Sequence, residues 1–150
     1  MRHDFLQRLA SPDSTVRRIA VLELADNGFA DDAPLLIAAL GDSAPDVRVE
    51  AARALEGYDE PDAINALLAA LRDNDVVVAA AAAHSLSELK NGAAAAQLLP
   101  HAADADPFVC VAVLRALREL RAPGSFAPAM AALQASDALV RRQAVSVLAT

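Results

Sequence analysis

The chain repeats itself every 31 residues, without an insertion or deletion along its 150 residues. A fixed period of this size is typical of a solenoid, in which each unit packs against its neighbours instead of around one central core. We therefore predict a single domain over residues 1–150, with units of about 1–26, 27–57, 58–88, 89–119 and 120–150, the first of them truncated. Three rows of apolar residues carry the period: Val16, Val47, Val78, Val109 and Val140; Leu24, Leu55, Leu86, Leu117 and Leu148; Leu9, Leu40, Leu71, Ala102 and Leu133.

The apolar residues indicate that the repeated unit is helical. Hydrophobic residues make up 55 % of the chain but aromatic residues only 3 %, so that Ala, Leu and Val dominate. Ala and Leu are strong helix formers, and small side chains allow helices to approach closely. Tryptophan is absent and glycine is scarce, which argues against a turn-rich β fold. The prediction is an all-α fold.

Unit two shows how one repeat is built. Apolar residues at helical spacing predict a first helix over Asp31–Leu40 and a second over Asp46–Glu56. Pro45 suits a first helical turn, and Gly57 suits the position after a helix end. Similar signals open the second helices of the other units: Ser11-Pro12-Asp13, Asn74-Asp75, Asp106-Pro107 and Ser136-Asp137.

A row of small residues marks where neighbouring second helices must approach each other. Its members are Ala20, Ala51, Ala82, Val113 and Ala144. A bulky side chain in this row is expected to overpack the interface.

The segment from Leu40 to Leu55 resembles the HEAT-repeat family. It contains the pattern Leu, Asp, Val-Arg, Ala and Ala-Leu of the short HEAT-like repeats found in phycobilin lyases and in artificial repeat scaffolds, and the likeness extends over all five units. The resemblance implies a right-handed α-α superhelix, a HEAT/ARM-like solenoid of five helix pairs. It leaves function open, because the family includes scaffolds, adaptors and a few enzymes.

The arginine that follows the repeated valine is present in only three units. Arg17, Arg48 and Arg141 match the family pattern, whereas Ala79 and Cys110 do not. In the family this arginine commonly ties adjacent loops through a loop aspartate, so the resemblance implies weaker ties around units three and four. We interpret Cys110 as a small, partly buried apolar residue and not as a reactive thiol, because no basic residue is close to it in sequence.

The resemblance also implies that the second helices line the concave side of the array. Mapping their outward positions predicts an apolar stripe across the middle units, beside a short row of cationic residues. Such a patch is uncommon on a protein surface without a binding role. The candidate binding residues are Val49, Arg53, Val76, Val77, His84, Phe108, Val111, Arg115 and Leu139.

Two other interpretations of this face stay open. The array could curl enough to bury the stripe against itself, or the true outward positions could differ by one residue. The cations could also be surface ion pairs, Arg53 with Glu50 and Arg115 with Glu119.

The patch and the cations together predict a non-enzymatic scaffold or adaptor. An amphipathic or extended protein segment would place apolar anchors on the stripe and acidic groups near Arg53 and Arg115. The alternative is a bilin lyase or isomerase-like subunit, which would hold a tetrapyrrole in the same groove.

Other chemistry is disfavoured. The three histidines, His3, His84 and His101, fall at different repeat positions and make no His-Glu pair, so we expect neither a metal site nor a cofactor. A formal net charge of −7 disfavours nucleic acid as a partner. The longest apolar run, 76–83, is too short to span a membrane, and no signal peptide is evident, so a cytoplasmic location is expected. Both ends look uncapped, which suggests end-to-end self-association or continuation of a longer array.

Overall fold

The computed structural model describes residues 2–27 and 30–150, in which all regular structure is helical. Successive helices pair into five units, so the architecture is the α-α solenoid expected from the repeat. The α-helices within these ranges are α1 (Arg2–Leu9), α2 (Ser14–Asn27), α3 (Ala33–Ala39), α4 (Pro45–Ala54), α5 (Pro61–Ala70), α6 (Val76–Ser87), α7 (Ala95–Leu98), α8 (Pro107–Glu119), α9 (Phe126–Ala132) and α10 (Ala138–Leu148). Short 3-10 turns cover Ala30–Asp32, Gly92–Ala94, Leu99–His101 and Pro123–Ser125.

The second helices of the last three units begin where the turn signals predict. Asp75, Asp106 and Asp137 occupy the N-cap positions of α6, α8 and α10, and each carboxylate accepts a hydrogen bond from the backbone N–H two residues later. These caps satisfy N–H groups that have no partner inside the helix. At the end of unit two, Gly57 adopts a φ of 88°, a left-handed conformation that glycine reaches without strain.

The repeated rows form the buried core. Val47, Val78 and Leu55 are inaccessible to solvent, and the small residues at the helix contacts are equally buried. The second helices pack on one another in sequence, α2 on α4, α4 on α6, α6 on α8 and α8 on α10. The first helices contact their neighbours less extensively, so the second helices form the more closely packed layer of the array.

Unit four departs from the common pattern in its first helix. α7 has only four residues and is flanked by 3-10 turns over Gly92–Ala94 and Leu99–His101. Pro100 lies in the second of these turns. A proline has no backbone N–H and its ring obstructs the preceding helical turn, so a continuous α-helix is disfavoured here. The regular helix pair expected in every unit is therefore altered in unit four.

Candidate functional site

Four exposed apolar side chains lie at the starts of three neighbouring second helices. Val76 and Val77 open α6, Phe108 is the second residue of α8, and Leu139 is the second residue of α10. Because α6, α8 and α10 pack side by side, these residues follow one another across units three to five. We call these four residues the apolar stripe.

The N-caps fix the positions of these side chains. The Val77 N–H donates to Asp75 Oδ1 at 2.9 Å, the Phe108 N–H to Asp106 Oδ1 at 2.9 Å, and the Leu139 N–H to Asp137 Oδ1 at 2.8 Å. Each helix therefore starts at the same point of its repeat. The residue two positions after each aspartate consequently faces the same way in all three units.

Unit two does not extend the apolar stripe. Val49 was expected on the exposed face, but it is only 8 % exposed, so that expectation is wrong. Arg18 of unit one forms an ion pair with Glu50 of unit two. Its Nε lies 3.2 Å and its Nη2 3.0 Å from Glu50 Oε1. Val111 of unit four is partly buried and packs against the core.

The cations beside the apolar stripe differ in their partners. Arg53, His84 and Arg115 are all exposed, as expected for one row along the face. Arg53 Nη1 lies 3.7 Å from Glu50 Oε1, so the pairing considered for it is present. His84 Nε2 lies 3.7 Å from Glu56 Oε2.

Arg115 is the least neutralised of these three cations. Among the described residues no carboxylate lies within ion-pair distance of its guanidinium, and Arg118 rather than Arg115 is the residue that approaches Glu119, at 3.5 Å. Arg142 is a second exposed cation of this kind, three residues after Leu139 in α10. It shares the repeat position of Val49 and was not among the predicted binding residues. The positive charge of the face is thus concentrated in units four and five.

On the loop edge, arginine–aspartate pairs tie the first three units together. Arg17 reaches Asp42 and Arg48 reaches Asp73, each pair spanning one junction. Unit three has Ala79 at the arginine position, yet its junction with unit four is also tied, because Arg72 pairs with Asp104 from a different position. A pair is therefore present at this junction, and its arginine is more exposed than Arg17 and Arg48 are in theirs.

The junction between units four and five lacks such a tie among the described residues. Cys110 replaces the arginine and Ala135 stands where the partner aspartate would be, and a cavity of about 280 Å³ opens between them. Cys110 is buried, its Sγ lies 3.1 Å from the Ala102 carbonyl oxygen as a donor, and burial raises the pKa of its thiol. This supports a packing role for the cysteine.

The described residues offer no metal-binding group, and neither the 280 Å³ cavity nor a larger one is lined by the apolar stripe. Residues 2–27 and 30–150 hold no group of three or more histidine, cysteine or acidic side chains that could bind a metal ion. A cavity of about 510 Å³ lies elsewhere, near the C-terminal ends of α8 and α10, with Arg121 and Phe126 in its lining. In the same part of the chain, every helix is too short or too polar to cross a bilayer.

An α-helical solenoid of stacked helix pairs places this chain in the class of helical-repeat proteins. The family model of HEAT repeats matches residues 3–87 and 33–112, and this chain belongs to the HEAT-repeat family. No curated protein matches the sequence significantly.

Solved structures share the fold. One is the complex of CpcE and CpcF of phycocyanin lyase from Nostoc sp. PCC7120, with 26 % identity and a TM-score of 0.63 over 96 % of this chain and 62 % of that chain. Another is human deoxyhypusine hydroxylase in complex with glycerol, with 24 % identity and a TM-score of 0.65 over 79 % of this chain and 42 % of that chain. An engineered protein shows 23 % identity and a TM-score of 0.57 over 97 % of this chain and 77 % of that chain. The present chain thus spans less than two thirds of the hydroxylase and lyase chains.

Proposed function

We propose that the protein is a non-enzymatic scaffold that binds a protein segment on the face formed by α6, α8 and α10. The observation that carries this proposal is the apolar stripe, which crosses three units and remains exposed although its helices are otherwise well packed. An exposed apolar surface that continues over several elements is costly in water unless a partner covers it.

The charges around the apolar stripe favour a segment that carries acidic groups. Arg142 follows Leu139 by three residues in α10, and Arg115 follows Phe108 by seven residues in α8. Arg53 and His84 already have Glu50 and Glu56 nearby. Charge-assisted hydrogen bonds from a guanidinium to a carboxylate are stronger than neutral ones. The apolar anchors of the segment would therefore lie on units three to five, with its carboxylates toward Arg115 and Arg142.

The test compares proteins captured by the wild type and by the double variant Phe108→Asp with Arg115→Glu. The matched control is Ala96→Asp with Lys90→Glu, which makes the same change in net charge at exposed positions of unit four away from the apolar stripe. Circular dichroism would establish that both variants fold. We expect the stripe variant to lose its specific partners and the control to keep them. Equal retention by a folded stripe variant would refute the proposal.

A second candidate is a bilin lyase or isomerase-like subunit. The likeness to the phycocyanin lyase complex over 96 % of this chain favours it, and a tetrapyrrole would suit an apolar face edged by arginines. Against it, none of the cavities described above is lined by Val77, Phe108 or Leu139. The test is to titrate the protein with a bilin and record the absorbance of the bilin. A saturable shift of that spectrum that is lost in Phe108→Asp would support tetrapyrrole binding on this face.

A further inference from the structure

The cavity between units four and five includes space that an arginine fills elsewhere in the array. Between units one and two a cavity of about 240 Å³ lies at the same repeat position, and Arg17 borders it. Between units four and five the cavity is about 280 Å³ and extends to Asp104 and Ser136. Their counterparts in the first junction, Ser11 and Ser43, accept hydrogen bonds from the guanidinium of Arg17. The later cavity therefore reaches the position that a guanidinium occupies in the first junction.

Two backbone carbonyl groups at this cavity lack the donor that their counterparts have. In unit two the Nη1 atom of Arg48 donates to the carbonyl oxygens of Asp42 and Ser43, at 2.8 and 3.3 Å. The same positions in unit four are Asp104 and Ala105, which both line the cavity. No side-chain donor among the described residues reaches their carbonyl oxygens. Because a guanidinium carries five N–H donors and no acceptor, two adjacent carbonyl oxygens suit it.

Carboxylates give this cavity a negative charge. Among the described residues its lining includes Asp104 and Asp137 and no cation. Asp104 is paired with Arg72, whereas no cationic side chain in residues 2–27 and 30–150 lies within ion-pair distance of Asp137. Burial raises the pKa of the Cys110 thiol, and the charges of Asp104 and Asp137 raise it further, so both carboxylates act on the cavity. Arg141 is the cation of the adjoining loop, and its Nη1 donates to backbone carbonyl oxygens there.

We propose that the cavity between units four and five binds a guanidinium group that comes from outside the chain. This group donates to the carbonyl oxygens of Asp104 and Ala105, as Arg48 does to their counterparts. The carboxylate of Asp137 is its acidic partner, because Ala135 stands where the first two junctions have an aspartate. A lysine ammonium fits less well, since it lacks the planar fork of donors. The apolar stripe does not line this cavity, so the proposal is independent of what the stripe binds.

The probes are methylguanidinium and N-acetyl-argininamide, with N-acetyl-lysinamide as the control cation. Binding is followed by the backbone amide NMR shifts of Ala105, Ser136 and Asp137. We expect both guanidinium compounds to shift these amides saturably and the lysine compound to bind about tenfold more weakly, the effect of one charge-assisted hydrogen bond. Tighter binding of the arginine compound than of methylguanidinium would assign the site to an arginine side chain of a protein. Equal affinities would assign it to a small guanidine compound.

Two variants change the site in opposite directions. Asp137→Asn removes the charge but keeps a good N-cap residue, so it should weaken guanidinium binding about tenfold while α10 stays folded. Ala135→Asp supplies the carboxylate that Asp42 and Asp73 supply in the first two junctions, so it should strengthen binding about tenfold. Cys110→Arg together with Ala135→Asp fills the position with a pair of its own and should abolish binding.

Arg48→Ala is the positive control, because it vacates a guanidinium position whose acceptors are known, including the carboxylate of Asp73. Binding of methylguanidinium to this variant at Asp73, without saturable shifts at Ala105 and Ser136, would overturn the proposal. Failure at both positions would overturn it too, since a guanidinium would then need its tether to the chain. Equal binding of the lysine compound, or an affinity unchanged by Asp137→Asn and Ala135→Asp, would show attraction to surface charge alone and would equally overturn it.

Discussion

Arg17 and Asp42 form a bidentate ion pair across the junction between units one and two. Nε lies 2.8 Å from Oδ2 and Nη2 lies 3.0 Å from Oδ1, while both side chains are largely shielded from solvent. The same carboxylate accepts the backbone N–H of Ala44 at 2.8 Å, so one aspartate shapes its own turn and holds the arginine of the preceding unit. Arg48 and Asp73 repeat the arrangement one unit later.

The first prediction concerns acid stability. The hydrogen bonds from Arg17 hold the pKa of Asp42 below its ordinary value, and for Asp73 burial raises the pKa but Arg48 and a backbone N–H outweigh it. A carboxyl with a lowered folded pKa stabilises the fold above its unfolded pKa of about 3.9, and this contribution is lost as the pH falls through the folded pKa. We therefore expect the urea midpoint to decline as the pH falls below about 4.

The control for this prediction is the pair of substitutions Asp42→Asn and Asp73→Asn in one chain. This variant should be less stable at neutral pH and should lose less stability between pH 5 and pH 2, as measured by urea unfolding followed by circular dichroism. An acid decline as steep as that of the wild type would show that other carboxyls are responsible.

The second prediction is that the arginine and the aspartate of one inter-unit ion pair are energetically coupled. Arg48→Ala and Asp73→Ala should each lower the urea midpoint, because each leaves a shielded charge without its partner. The double variant should lose less than the sum of the two. Arg53→Ala with Glu50→Ala is the comparison pair, since its atoms are 3.7 Å apart and the guanidinium is exposed. A coupling no larger than in that pair would contradict the prediction.

The third prediction is that the missing tie between units four and five can be restored. Cys110→Arg together with Ala135→Asp recreates the spacing of Arg17 and Asp42 in the place of the 280 Å³ cavity. We expect the double variant to unfold at higher urea and to slow amide exchange in α9 and α10. Cys110→Arg alone should destabilise the chain, because it places a charge without a partner among buried residues. A double variant no more stable than that single one would show that the junction does not accept the pair.

The fourth prediction tests the close approach of the second helices. Ala82 is inaccessible between neighbouring helices, whereas Ala80 on the same helix is exposed. Ala82→Leu should lower the free energy of unfolding by about 1–3 kcal/mol, because the extra atoms force the helices apart. Ala80→Leu, which adds the same atoms to the same helix, should change it little. Urea denaturation of both variants provides the measurement, and equal effects would contradict the packing argument.

The fold could be predicted from the sequence because the buried rows recur with one period. Val47 and Leu55 have counterparts in every unit, and these identify the packed side of each second helix. The repeat did not predict the shortened first helix of unit four. Pro100 was visible in the sequence, but its effect depends on how the neighbouring turns accommodate a missing N–H.

The candidate face was predicted only in part. The period determines which residues of a helix share a face, but it does not determine which long side chains from neighbouring units cover them. Val76, Val77, Phe108 and Leu139 are exposed as expected. Val49 is not, and the ion pair of the neighbouring Glu50 with Arg18 depends on a residue 32 positions away.

The substitute tie in unit three was missed for a related reason. Arg72 lies outside the repeated valine–arginine pattern, so no row of the repeat identifies it. The retained Asp104 was the available signal, because its regular partner position holds Ala79. An aspartate without its regular arginine indicates that another cation approaches it.

The untied junction between units four and five has a mechanical consequence. A force that pulls on the two ends of the array loads all four junctions in series, so that each carries the same tension. Three of them are crossed by an arginine–aspartate pair, while the fourth has Cys110 and Ala135 facing a cavity. Under such a pull we expect the last helix pair to detach first as one piece, with units one to four still stacked.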